Sequence, residues 1–315
     1  MGTGVSYMGH HNPKHLEADM REMKDLQIDD VLLAAQENDF THFTGKLAFT
    51  PKIAKVYGLR PIANFWGALN LFGGGKSSQF LLEHPECFQV GLDGGHRSQG
   101  CYVNPGCVAR IEQMIDIVAD LGFQGYFIDE PTPLRDCYCP ACRATYREWY
   151  GDDLAAAPGD SRELFRQRCV VDYVRKIAAY CKTRHPHLET MACLMPIDQA
   201  MWQEISEIES LDNLGSDFYW ANTDQNVEEM APILGELDIL CRKNGKVHHE
   251  WLECWRVRQG KEPRILEMGQ VLIREQPDAL YVWAWRGQIG TTESCDDPDT
   301  AWQYACQVLK MAKVE

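Results

Sequence analysis

Residues 125–131 read Gly-Tyr-Phe-Ile-Asp-Glu-Pro, a short apolar run that ends in two adjacent carboxylates, Asp129 and Glu130. The run has the length of a buried strand, and Pro131, with no N–H to give a ladder, stops it. Carboxylates at such a position can deliver protons or act as nucleophiles. The ordinary use of a strand-end carboxylate is to cap the next helix, which suffices for Asp39 and Asp198. Two side by side, followed at once by proline, do not fit a cap.

Seven residues after Glu130 begins Cys137-Tyr-Cys139-Pro-Ala-Cys142. Three thiolates at this spacing suit a tetrahedral zinc ion, which wants a fourth ligand. Cys101 and Cys107 both lie upstream; Cys101 is the better candidate because it sits in an irregular segment, whereas Cys107 falls at a helix start. The rival reading is a reduced thiol cluster without metal. The spacing is not the C-x-x-x-C-x-x-C of a radical enzyme's iron–sulfur loop. The chain holds 13 cysteines, an odd number, many inside expected helices, which suits buried thiols better than a disulfide framework.

The elements that must position these groups follow a repeating rhythm. Apolar runs at 5–9, 31–35, 60–65, 123–129, 190–194, 213–219, 247–254 and 279–285 each precede an amphipathic stretch. The helices are expected near 13–26, 50–57, 107–121, 162–183, 199–210, 227–243, 262–275 and 299–313, with a further one at 141–149. Eight strand–helix units predict an α/β fold, a (β/α)8 TIM barrel in a single domain over 1–315. Insertions are expected at about 66–108 and 131–165. An open doubly wound sheet would want a glycine fingerprint after an early strand, and none is present.

In such a barrel, chemistry gathers where strands end. Polar groups there are His10, His11 and Asn12, Glu37 to Asp39, Asn64, Asp129 and Glu130, then Asp217, Tyr219 and Trp220. His249, Glu250 and Glu253 follow, with Trp283, Trp285 and Arg286 on the last strand. Carboxylates on several strand ends beside flat aromatic rings suit a sugar, because the rings stack on pyranose faces. Candidate substrate contacts are His11, Asn64, Trp66, Tyr219, Trp220, Trp285 and Arg286, although each aromatic is equally plausible as core. Gly75-Lys76-Ser77 lacks the first glycine of a P-loop, since that position is Asn70. His10 and His11 are adjacent, and strands five and six bring no histidine, so a binuclear-metal amidohydrolase barrel is not expected.

The 315 residues are 45% hydrophobic and 24% charged, with a net charge of -15 and a mean hydropathy of -0.36. The acidic balance argues against nucleic acid as a partner. No apolar run is long enough for a membrane span, and no signal segment is recognisable. The expectation is a cytoplasmic protein with a carbohydrate partner and a possible homo-oligomeric state.

On these residues the chain resembles the zinc-bearing family 42 β-galactosidases of the large clan of retaining (β/α)8 glycoside hydrolases. Ile128-Asp129-Glu130, the C-x-C-x-x-C segment and Cys101-Tyr-Val-Asn-Pro105 carry the likeness. It also resembles uncharacterised glycosidase-like barrels through Asp-Glu-Pro and through Asp217-Phe-Tyr-Trp220. The resemblance implies a glycoside hydrolase with Glu130 as general acid/base and a structural zinc on Cys101, Cys137, Cys139 and Cys142. Asp129 stands where that clan has an asparagine that binds the sugar 2-hydroxyl. The clan's nucleophile is a Glu at the end of strand seven; Glu250 and Glu253 both qualify, with Glu253 nearer the end and flanked by Trp251 and Trp255. Asp217 is a third candidate. The extra domains of that family are not in this sequence. Two other readings stand beside hydrolysis: a carbohydrate-binding barrel without turnover, and a metal-dependent sugar lyase or isomerase built on Asp129, Glu130, Asp217 and a histidine.

Overall fold

The structure, a computed structural model, describes residues 1–68, 71, 78–134 and 136–314. The Gly75-Lys76-Ser77 segment and much of the glycine-rich stretch after Trp66 lie outside the described residues. In chain order the strands are β1 (Gly2–Tyr7), β2 (Asp30–Ala35), β3 (Arg60–Phe65), β4 (Phe88–Val90), β5 (His96–Gly100) and β6 (Gly125–Ile128). They continue with β7 (Glu189–Leu194), β8 (Asn213–Phe218), β9 (Val247–Glu253) and β10 (Ala279–Trp283). All but β4 and β5 pair in parallel and close a barrel in the order β1-β2-β3-β6-β7-β8-β9-β10. This is the eight-stranded TIM barrel. Among the described helices none is long and apolar enough to cross a membrane.

The strands read as near-continuous apolar runs because both faces are buried. One face turns to the surrounding helices. The other fills the barrel, where Leu32, Ile62, Phe127, Met191, Trp251 and Tyr281 form a cluster of their own. At the bottom, Arg60 grips Asp30 at 2.6–2.8 Å and also pairs with Glu189, and the Tyr281 hydroxyl donates to Asp30 at 2.9 Å. Small residues make room for this filling. A Cβ at Gly4 would come within 2.4 Å of the Tyr281 ring, and one at Gly215 within 2.0 Å of the His249 carbonyl oxygen. That is why β1 begins at Gly2 rather than at residue 5: Gly-Thr-Gly carries no apolar signal, yet it must pair with β10.

Helix α1 (Pro13–Asp25) starts on the Asn12 cap with proline in its first turn. After β2 come α2 (Glu37–Thr41) and α3 (Thr44–Val56). The helix expected near 50–57 begins earlier, at Thr44, and runs through Pro51. Asp39 is structural, as its capping reading has it: it accepts from the Gln36 N–H at 2.8 Å and pairs with buried Lys46 at 2.6 Å. Glu37 likewise caps α4 (Gln79–Glu83), accepting from the Gln79 and Phe80 N–H groups at 2.8 Å. The segment before α5 (Pro105–Leu121) holds α4 and the antiparallel pair β4–β5.

Beyond β6 lie α6 (Pro140–Tyr150) and α7 (Gly159–Arg184). The helix expected at 199–210 is a 3-10 turn, Pro196–Met201, followed by the short α8 (Trp202–Ser206). Helices α9 (Met230–Lys243), α10 (Pro263–Arg274) and α11 (Pro298–Val314) complete the ring.

Candidate active site

Strand β6 delivers the paired carboxylates to the C-terminal mouth of the barrel. Phe127 faces inward and Asp129 follows on the same side by the two-residue period. Glu130 takes φ +35°, the left-handed region that costs a non-glycine residue about 1 kcal/mol or more. That turn lets both carboxylates open into one cavity of about 240 Å³, walled by Trp66, Met195, Tyr219, Trp255 and Trp283. The indoles of Trp66 and Trp283 have centroids 5.8 Å apart, and Trp255 stands edge-on to Trp283 at 6.5 Å. Trp251 supports Trp283 from below at 6.0 Å.

Asp129 accepts from the Gly67 N–H at 3.1 Å, with the Asn64 amide beside it on the cavity floor. Burial, then the Glu130 charge, push its pKa up to about 7 against those two contacts. Glu130 is raised well above the ordinary carboxylate range, first by burial and then by Asp217, with Asp198 adding to it. Both groups are half-buried at the base of an open cavity, so water relieves part of this push. Asp217 itself, on β8, is 3% exposed. Burial raises it to about 6, while the Glu130 carboxyl and the Tyr219 hydroxyl hold it down. Neither approach reaches full hydrogen-bond geometry, and no other described donor reaches an Asp217 oxygen, so the Glu130 carboxyl and the Tyr219 hydroxyl are the groups near enough to donate to it.

Glu253 closes β9 at 3% exposure, between Trp251 and Trp255. Its Oε2 accepts the Ala221 N–H at 2.6 Å, and the carboxylate does not line the Glu130 cavity. Burial brings it to about 7, against the Ala221 contact and the Arg264 charge.

Glu250 lies on the other face of β9. It accepts from the Ser216 hydroxyl at 2.8 Å and from His248 Nε2 at 2.7 Å, with Asp238 of α9 on the far side of the imidazole at 3.3 Å. Burial alone would lower the His248 pKa, but the two carboxylates outweigh it and raise it. Glu250 is therefore part of a buried ionic layer between barrel and helices, and is not among the groups around the cavity.

Of the expected substrate contacts, Trp66 and Tyr219 line the cavity and Asn64 lies beneath it. His11 is exposed and stacks on Phe43 at 4.0 Å. Trp220 packs edge-on against Phe218 at 5.3 Å. Trp285 packs on Trp302 at 4.9 Å, and Arg286 pairs with Glu22. Strand β10 ends two residues earlier than the apolar run suggests, so Trp283 and not Trp285 faces the carboxylates; the Trp283–Ala284 peptide is cis. Trp255, Trp283 and Met195 are the lining residues absent from the expected contacts. The inward alternation from Trp251 and Tyr281 was the signal that picks out the first two.

Behind the carboxylate loop, Cys101, Cys137, Cys139 and Cys142 are buried with their Sγ atoms all within 4.8 Å of one another. This is a cluster that can hold a metal ion. Cys107 stands apart and points its thiol at the Cys87 carbonyl, 3.3 Å away. Cys139 caps α6, and Tyr138 N–H donates to Val90 at 2.6 Å, so the cluster ties the β4–β5 pair to the segment after β6. Among the described residues no other group of histidine, cysteine and carboxylate side chains converges in this way. Among the described residues no histidine joins the Asp129, Glu130 and Asp217 carboxyls in a metal-holding group.

No protein-family model matches the chain, and no curated protein matches it in sequence. Solved structures do match its fold. The polyextremophilic β-galactosidase of the Antarctic haloarchaeon Halorubrum lacusprofundi superposes with TM-score 0.78 at 16% identity, over 100% of this chain and 58% of that one. The β-galactosidase of the psychrophilic Marinomonas ef1 gives 0.74 at 15% identity, over 100% and 60%. The endo-1,4-β-mannanase of Rhizomucor miehei gives 0.66 at 10% identity, over 100% and 94%. The chain thus spans 58–60% of the length of those two β-galactosidases, and what it has in common with all three is a glycoside hydrolase-like (β/α)8 fold.

Proposed function

We propose that the protein is a glycoside hydrolase that cleaves O-glycosidic bonds, with Glu130 as general acid/base. The observation that carries this is the cavity itself: a carboxyl whose pKa is raised by its surroundings, at the barrel mouth, facing indole walls suited to a pyranose. Glu130 would give its proton to the leaving glycosidic oxygen. The Asp129 carboxyl, with Asn64 behind it, and the unpaired Trp255 Nε1 would meet sugar hydroxyls.

Two carboxyls that flank a scissile bond stand about 5 Å apart for retention and about 6.5–9.5 Å for inversion. Asp217, in contact with Glu130, is too close to attack from the other side. Its part is to keep Glu130 protonated. The partner carboxylate is then Glu253, which would give up its bond from the Ala221 N–H to reach the sugar. The four cysteines would hold zinc, which keeps the loop bearing Asp129 and Glu130 in place and takes no part in the reaction.

A second reading has one observation in its favour. Asp129 and Glu130 are the only carboxylates in the cavity wall among the described residues, so a sugar could be bound without turnover. Assays of Glu130→Ala and Glu253→Ala on aryl glycosides, with and without azide, separate the two. Azide rescue of Glu253→Ala, giving a glycosyl azide of inverted configuration, identifies the nucleophile. Wild type that binds sugars but hydrolyses no glycoside moves the assignment to the binding barrel.

A further inference from the structure

The Glu130 cavity is not isolated. Trp66 also lines a second cavity of about 190 Å³, formed with Met8, Gln36, Gln288, Thr291 and Glu293. Met8, Gln288 and Thr291 in turn wall a third, of about 340 Å³, which reaches Ser6, Tyr7, His10 and Trp285. Through these shared lining residues the three make a line across the mouth of the barrel. Its two ends have definite places in the ring of strands: Glu130 and Tyr219 follow β6 and β8, while Ser6, Gln36 and Trp285 belong to β1, β2 and the segment after β10, on the opposite side.

The line also contains side chains without partners. Gln288 is 4% exposed and its Nε2 has no partner among the described residues; its Oε1 faces the Thr291 hydroxyl at 3.3 Å. The Ser6 hydroxyl is 0% exposed and likewise unpaired. Both line the third cavity, and Gln288 lines the second as well. Buried polar groups are normally hydrogen-bonded, and a cavity wall that leaves them unpaired suits a ligand that supplies the missing partners. Hydroxyl groups can do so, and the Trp285 ring stands in the same cavity wall.

We propose that the substrate is an oligosaccharide of at least three units, whose non-reducing part runs from the Glu130 cavity past Trp66 to a distal subsite made by Gln288, Ser6 and Trp285. The polarity rests on the hydrolase reading above. Glu130 protonates the oxygen that leaves, so the leaving part lies on the Glu130 side, and the cavities across the barrel receive the sugars on the other side of the broken bond.

The test is calorimetric binding and hydrolysis of 4-nitrophenyl glycosides of β-1,4-linked galactose, glucose and mannose, one to four units long. The nitrophenyl group fixes the reducing end, so each added sugar extends toward Gln288. In one series affinity should rise about tenfold or more from one unit to three and then level off. Gln288→Glu and Ser6→Ala, two small changes at separate points of the subsite, should each bring the three-unit to one-unit ratio down toward one. Affinity that does not depend on length in any series, or a ratio untouched by both variants, overturns the distal subsite. Binding needs no turnover, so the two readings fail separately. Length-dependent binding without hydrolysis overturns the hydrolase and leaves the subsite line standing. Hydrolysis of one-unit glycosides with no length dependence does the reverse.

Discussion

Glu130 and Asp217 bring two carboxyl groups into contact from opposite flanks of β7, one beyond the end of β6 and one within β8. Both are pushed up by burial, and Asp217 adds its negative charge to keep the proton on Glu130. A general acid must be protonated to work, so the basic limb of the kcat/KM profile follows Glu130. Asp217→Asn removes the charge that raises Glu130, and the basic limb should move to lower pH. Glu130→Gln should cost about 10²–10⁴ in kcat on aryl glycosides. A basic limb in Asp217→Asn that stays where it is in wild type would show that the contact does not tune the acid.

Glu250 gives the opposite expectation. Its carboxylate is spent on Ser216 and His248 in the layer between barrel and helices. Glu250→Gln should leave kcat/KM within about threefold of wild type and lower stability by about 1–3 kcal/mol, the range for a disturbed buried hydrogen-bonded group. Denaturant melts measured beside the activity decide it. A large loss of kcat with unchanged stability would put Glu250 back in the reaction.

These two residues show how far the sequence reaches. The strand rhythm is legible because a parallel barrel buries both faces of every strand, and the paired carboxylates stand out because Pro131 excludes a simple cap. Cys101 could be preferred to Cys107 because a ligand from an irregular segment is free to turn, and the structure gathers Cys101 with the other three. The sequence leans to Glu253 over Glu250 on β9 without settling which of the two turns to the barrel interior. Glu250 and Glu253 lie on opposite faces, and only the packing of His248 against Asp238 on α9 says which face is outer. The end of β10 was missed for a similar reason. Trp283 and Trp285 are both apolar and two apart, and the chain turn after Trp283 has no sequence signal. Gln288 is less visible still, since a polar residue in a loop looks like ordinary surface until the fold buries it.

Glu253 links stability to pH. Its folded pKa is about 7 against an ordinary 4.5, with burial as the cause. Between those values the folded chain keeps a proton that the unfolded chain has released, so stability falls as pH rises from about 4.5 to about 7. Above that the loss is complete. At about 1.4 kcal/mol per pH unit the gap is worth at most about 3 kcal/mol. Glu253→Gln keeps an oxygen for the Ala221 N–H and removes the charge. It should melt higher than wild type at pH 8, with a difference that shrinks toward pH 4, while losing activity. A difference that grows toward low pH would contradict the buried, proton-holding carboxyl.

The thiol cluster makes the last prediction, and Cys107 is its control. Four buried Sγ atoms lie within 4.8 Å of one another, a spread that one tetrahedral ion would bridge with all four as thiolates. The purified chain should therefore carry about one equivalent of zinc. Cys142→Ser should lose the metal and melt well below wild type, because binding free energy at a structural site is folding free energy. Cys107→Ser, whose thiol only faces the Cys87 carbonyl, should keep the metal. Activity should fall in Cys142→Ser together with structure, since the cluster begins seven residues after Glu130 and braces that loop. Metal content by mass spectrometry, read beside thermal melts, gives the answer. Equal metal in Cys142→Ser and wild type would mean that the thiols are an ordinary buried cluster.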